Sequence, residues 1–172
     1  MSRWRRRMRI ERWIERNRAG EVVVDIDAGV RDALRTLLDE LRELLMTGDH
    51  PGLRRLYPTA YPQHEELEEG YRSLVHDSLL AQRLDSIEAM ENSLDAKTLT
   101  DEQLDAWMHG VNSVRLVLGT ILDVGESDEL PDADAPDAQQ RVLYYILGYL
   151  LEQIVDVLFS TVPVDGFEDD PL

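Results

Sequence analysis

Between residues 4 and 26 the apolar positions alternate. Trp4, Met8, Ile10 and Ile14 all fall on even numbers, and the odd positions from Arg3 to Glu15 are charged except for Trp13. A period of two places one apolar face inward and a row of arginines outward, the signature of a half-buried strand. Glu21 to Ile26 is a second β-branched run, with Val22, Val24 and Ile26 on one face. Asn17 to Gly20 supplies turn residues between the two runs. The pattern predicts a β-hairpin closed by a loop of roughly 3–5 residues.

At Asp27 the period changes. Val30, Leu34, Leu37, Leu38, Leu41, Leu44 and Leu45 recur at three and four residues, which predicts a helix from Ala28 to Met46 with Asp27 as its N-cap and Gly48 as its C-cap. Residues 49–62 carry Pro51, Gly52, Pro58 and Pro62 and read as loop with one helical turn. Gln63 to Ser93 is helical in composition, but its apolar phase slips. Leu67, Tyr71, Leu74 and Val75 form one stripe, and Leu80, Leu84, Ile87 and Met90 another, so a kink or break is expected near His76–Asp77. Thr100 to Gln103 is a capping box opening a helix with Leu104, Trp107, Met108, Val111, Val114, Leu118, Ile121 and Leu122 on its apolar stripe. Residues 123–137 read as an acidic loop. Ala138 to Phe159 is a last helix, apolar around much of its circumference, which places it in the core or in a homodimer interface. The expected fold is α+β and mostly α, a hairpin packed on a bundle of about four to six helices. Residues 1–160 form one domain in this reading, with 1–26 as the arginine-rich hairpin and 28–160 as the helical part, and 161–172 form an acidic flexible tail.

Composition adds charge to this picture. The chain has 172 residues and a net charge of −17, unevenly distributed. Residues 1–18 hold eight arginines and two acids and carry +6, while the remainder holds ten basic and 33 acidic residues and carries −23. Arginine's planar fork suits phosphate and carboxylate alike. Arg3, Arg5, Arg6, Arg7, Arg9 and Arg12, with Trp13 among them, are therefore the candidate contact surface for an acidic partner, protein or nucleic acid. For Trp4 and Trp13 the competing reading is packing against the chain's own core. The most apolar stretch, Leu143 to Phe159, carries Glu152, Gln153 and Asp156, which argues against a membrane span. No secretion signal is visible, and the expected location is the cytoplasm.

Chemistry is sparse. There is no cysteine, which excludes disulfides, thiolate metal sites and thiol redox sensing. His50, His64, His76 and His109 stand in no metal-ligand spacing, and no phosphate-binding or nucleophile motif is present, so no metal, cofactor or catalytic residue is expected. Gly119 inside an apolar helix implies a close helix–helix approach. Asn112 and Arg115 share one helix face and read as a structural polar contact.

These residues resemble a family. Trp4-Arg5-Arg6-Arg7, the run Val22 to Ile26, the segment Leu53-Arg54-Arg55-Leu56-Tyr57-Pro58-Thr59-Ala60-Tyr61, then Ala106-Trp107 followed by Asn112 and by Val114-Arg115-Leu116-Val117-Leu118-Gly119-Thr120, and finally Tyr144 to Leu158, occur in the order and spacing of an actinobacterial domain-of-unknown-function family, the AosR-type oxidative-stress transcriptional regulators. The resemblance implies a small, mainly helical, non-enzymatic regulator acting through a sigma factor or RNA polymerase, with DNA as a further candidate ligand. It makes Trp107, Asn112, Arg115 and Gly119 the family-motif structural residues. Members are often encoded near the protease adaptor ClpS, which implies, as the alternative, an adaptor partnered with Clp components in regulated proteolysis. The redox switch implied for the family uses a cysteine pair that this chain lacks, so a stress signal would reach it by another route.

Overall fold

A computed structural model describes residues 12–125 and 134–160. The alternating segment from Trp4 to Ile10, part of the acidic loop and the acidic tail lie outside the described residues. Strands β1 (Ile14–Arg16) and β2 (Val22–Val24) form the expected hairpin, with Ile14 opposite Val24 and Arg16 opposite Val22. Its turn is organised by Asn17, whose side-chain oxygen accepts the N–H groups of Ala19 and Glu21 at 2.9 Å, and by Gly20 at φ 85°. Ile14, Val22, Val24 and Ile26 are buried, as the alternation requires. A third strand, β3 (Thr98–Leu99), pairs antiparallel with β2 and makes the sheet three-stranded. Two residues are too short to show a period, so the alternation of the sequence could not reveal it.

Four α-helices follow the expected spans closely. Helix α1 (Ala28–Thr47) starts at Asp27, which accepts the Val30 N–H, and ends at Gly48 with φ 71°. A short 3-10 turn (Pro51–Arg55) occupies the proline-rich loop. Helix α2 (Glu65–Ser93) runs 29 residues, α3 (Asp101–Ile121) opens with the complete Thr100–Gln103 capping box, and α4 (Ala138–Phe159) closes the described chain. The fold is therefore α+β and mostly α, as the periodicity implies.

Helix α3 lies at the centre and packs on α2, α4, α1 and the 3-10 turn. Trp107 of α3 is completely buried. Its indole N–H donates to Ser93 Oγ on α2 at 2.8 Å, and that hydroxyl donates in turn to the Ala89 carbonyl at 2.8 Å. The largest core side chain is thus inserted with its one polar atom satisfied, which a buried indole requires. One turn later Gly110 lets Met90 approach, since a Cβ there would stand 2.8 Å from the Met90 sulfur.

The same pairs set the register of the bundle. Trp107 meets Ser93, Gly110 meets Met90 and Ser113 meets Arg83, so α2 and α3 run antiparallel. Arg35 with Asp95 and Arg42 with Glu91 lay α1 antiparallel to α2 as well. Continued in register, α1 and α3 both end before the first three turns of α2, leaving about 18 Å of helix beyond the bundle at 1.5 Å per residue.

This overhang corrects the expected break at His76–Asp77: α2 is continuous there. The two apolar stripes serve different surroundings. Ile87 and Met90 are buried, with Leu80 and Leu84 packed beside them, whereas Leu67, Tyr71 and Leu74 are 55%, 38% and 82% exposed. The phase slips where the helix leaves its partners, with no break in the helix.

The Trp107–Ser93 bond generates a stability prediction. Ser93→Ala leaves a buried indole N–H without an acceptor and is expected to cost about 1–3 kcal/mol. Chemical denaturation followed by Trp fluorescence measures it, and an unchanged midpoint would show that the bond carries no net stability.

Candidate functional site

The described end of the arginine-rich segment sits on the sheet edge. Arg12 and Arg18 are exposed. Arg16 instead donates to the Gly20 carbonyl at 2.8 Å and to Asp101 Oδ1 at 2.6 Å, tying the hairpin to the start of α3. Trp13 is half-buried and meets the Tyr149 ring of α4 edge-on at 5.5 Å. Its N–H and that of Ile14 both donate to Gln153 Oε1, at 2.8 and 3.1 Å. One buried α4 amide thus satisfies two donors on the free edge of β1. Arg3, Arg5, Arg6, Arg7 and Arg9 lie outside the described residues.

Beside Arg12 is an open concavity of about 500 Å³, lined by Arg12, Glu15, Val23, Asp25, Arg31 and Lys97 among others. Its charges are mixed, and Arg31 is committed elsewhere. The Arg31 guanidinium donates to the Ile26 carbonyl at 3.0 Å, to the Leu94 carbonyl at the end of α2, and to Ala96. A cation at a helix C-terminus is favourably placed against the helix dipole. Arg31 is a clamp between the sheet and two helices, and sequence patterning gave no sign of it.

The motif residues of α3 line its two packed sides. Gly119 faces α4: a Cβ there would stand 2.9 Å from Tyr144 and 3.3 Å from an Arg55 nitrogen. Gly148 on α4 returns the accommodation, since its missing Cβ makes room for Arg115 at 3.2 Å. The Arg115 guanidinium lies 4.5 Å from the centroid of the Tyr144 ring, a cation–π contact. Its Nε is buried with no hydrogen-bond partner. The expected Asn112–Arg115 contact is not made, because Arg115 turns to Tyr144 instead. Ser113, on the opposite side of α3, is within 3.4 Å of Arg83 on α2.

The segment from Leu53 to Tyr61 wraps the base of the overhanging part of α2. Leu53 and Leu56 are buried. Tyr57 stacks on His76 at 4.9 Å, and Arg83, which donates to the Leu56 carbonyl at 2.6 Å, lies 5.5 Å from the Tyr57 ring centroid. Burial pushes the Tyr57 phenol above its ordinary pKa, an effect partly offset by the Arg83 charge. Beyond it, the Glu68 carboxylate accepts the N–H groups of Ala60 and Tyr61 at 2.9 and 2.8 Å, while its second oxygen pairs with Arg72. Among the described residues no group of three or more His, Asp or Glu side chains could hold a metal.

A family model matches residues 1–158, which contain every motif residue described above. The chain belongs to DUF2017, a family of domains of unknown function. No curated protein and no solved structure matches it. Within this DUF2017 chain the motif residues Trp107, Arg115 and Gly119 hold helices together, while Arg12 beside the sheet and the overhanging part of α2 are exposed among the described residues.

Two outcomes follow from this geometry. Gly119→Ala drives a methyl group into the Tyr144 ring and is expected to destabilise the fold by about 1–3 kcal/mol, read as a fall in denaturation midpoint. For Tyr57 the folded pKa lies above the unfolded value, so the associated stability is present below pH 10 and is lost as pH rises through the folded pKa. Comparing alkaline unfolding of the wild type with Tyr57→Phe isolates that component. Identical profiles would refute it.

Proposed function

We propose that this DUF2017 chain is a non-enzymatic, cytoplasmic regulator of transcription in a stress response, acting on a sigma factor or RNA polymerase through its arginine-rich N-terminal segment. The observation that carries the reading is the segregation of charge, +6 over residues 1–18 against −23 over the rest. Such a chain repels polyanions over most of its surface and attracts them at one end. The AosR-type resemblance of the motif segments supports transcription as the process. With no cysteine in the chain, a stress signal in this reading arrives through a partner, through abundance or through another residue, not through a thiol. DNA is the second ligand in this reading, engaged by the same arginines.

The test is affinity capture from nuclease-treated native lysate, comparing the wild type with a variant carrying Arg5→Glu, Arg6→Glu and Arg7→Glu. Recovery of sigma factor or polymerase subunits by the wild type, lost in the variant while the fold is retained, is the expected result. Recovery of Clp components without polymerase replaces this reading with an adaptor role in regulated proteolysis. Direct DNA binding predicts affinity that falls steeply with salt, and a flat response removes DNA from the proposal.

A further inference from the structure

Leu67, Gly70, Tyr71 and Leu74 fall on one sector of α2, opposite the face that Ile87 and Met90 bury farther along the same helix. Among the described residues nothing covers Leu74, which is 82% exposed, and Leu67 is 55% exposed. Isolated exposed leucines are ordinary, but an aligned apolar row on a helix that projects beyond its bundle is not. Tyr61 extends the row. It is 44% exposed and meets Tyr71 edge-on at 6.0 Å. Its backbone is held by Glu68, so the face is built before any partner arrives.

Gly70 gives an independent indication. It lies in mid-helix at the edge of this row, where glycine is less favourable than alanine. At Gly110 and Gly119 a neighbouring helix or ring explains the missing side chain, but a Cβ added at Gly70 would meet nothing within 4 Å. The close approach that this glycine permits is therefore not made by any of the described residues.

The charges around the row select the occupant. Glu65, Glu66, Glu69 and Asp77 are exposed on this part of α2, and its one arginine, Arg72, already pairs with Glu68. A second copy of the chain is a poor match. In an antiparallel two-fold pairing, the edge bearing Glu66 and Asp77 would lie beside the same edge of its mate, between chains of net charge −17. We infer that the overhanging N-terminal half of α2, with Tyr61, is a docking face for an amphipathic helix of another protein that presents leucine-like anchors flanked by lysine or arginine. The inference stands on α2 and its surroundings and does not depend on the transcription reading.

The full-length protein is titrated with a synthetic Leu/Lys amphipathic helical peptide and with its Leu/Glu counterpart, by calorimetry and by NMR of the labelled protein. The Leu/Lys peptide is expected to bind and to shift resonances at Leu67, Gly70, Tyr71 and Leu74, and the Leu/Glu peptide is not. A Leu67→Ser, Leu74→Ser double variant keeps every charge and is expected to lose about tenfold or more in affinity. Gly70→Ala supplies a second readout: its Tm is expected to hold or rise, because the methyl group enters open space, while affinity falls. Equal affinity of the wild type and the double variant would reduce binding to general attraction by an acidic chain and overturn the inference. So would failure of the Leu/Lys peptide to bind, or a wild-type dimer that the double variant dissolves.

Discussion

The architecture depends on how closely α3 is approached from several sides at once. A central helix with large side chains all round would hold its neighbours at 8–10 Å or more. This one uses Gly110 toward α2 and Gly119 toward α4, and Gly148 on the facing helix does the same for Arg115. Those three gaps are filled by Met90, Tyr144 and Arg115, so each close approach is matched by a bulky neighbour from the opposite element. Trp107 then locks α3 to the end of α2 through a buried hydrogen bond. Once α3 is fixed in this way, the registers of α2 and α4 follow, and so does the length of α2 left projecting.

The perimeter is held by a different device. Single polar side chains collect backbone groups that the short elements leave open. Gln153 takes two N–H groups from the edge of β1, Glu68 takes two from the Ala60–Tyr61 segment, and Arg31 serves carbonyls from the β2–α1 and α2–β3 connections. A sheet of strands two and three residues long cannot satisfy its own edges. Gln153 of α4 supplies acceptors at its β1 edge, and Arg31 of α1 ties the connections on either side of it.

That division explains what was legible in the sequence. The spans of α1, α3 and α4 show in periodicity and caps because those helices bury one continuous face, and Asp27, Gly48 and Thr100 act as their types require. The α2 phase slip was visible too, but one sequence admits two causes: a helix broken in two, or a continuous one whose partners end. Only the lengths of α1 and α3 separate them. The clamps at Arg31, Glu68 and Gln153 were not legible. Their partners lie 63, 8 and 140 residues away in sequence, and they bind backbone, which carries no residue-type signal. For Arg115 the i,i+3 spacing brings Asn112 near but cannot weigh it against an aromatic ring on α4, which is the neighbour it meets.

The two open surfaces differ in kind as well as in place. The sheet lies at the C-terminal end of α2, since β3 follows Ser93 within a few residues, and the apolar row lies at the N-terminal end. From Leu74 to Ser93 the helix rises by about 30 Å. That is several Debye lengths at physiological ionic strength, about 8 Å each. Charges fixed on the sheet side, such as Arg12 and Arg18, are therefore screened from the acidic residues beside the row. Salt would weaken contact at the arginine-rich end directly. At the α2 row it would weaken only the flanking contribution, because burial of Leu67 and Leu74 is not screened.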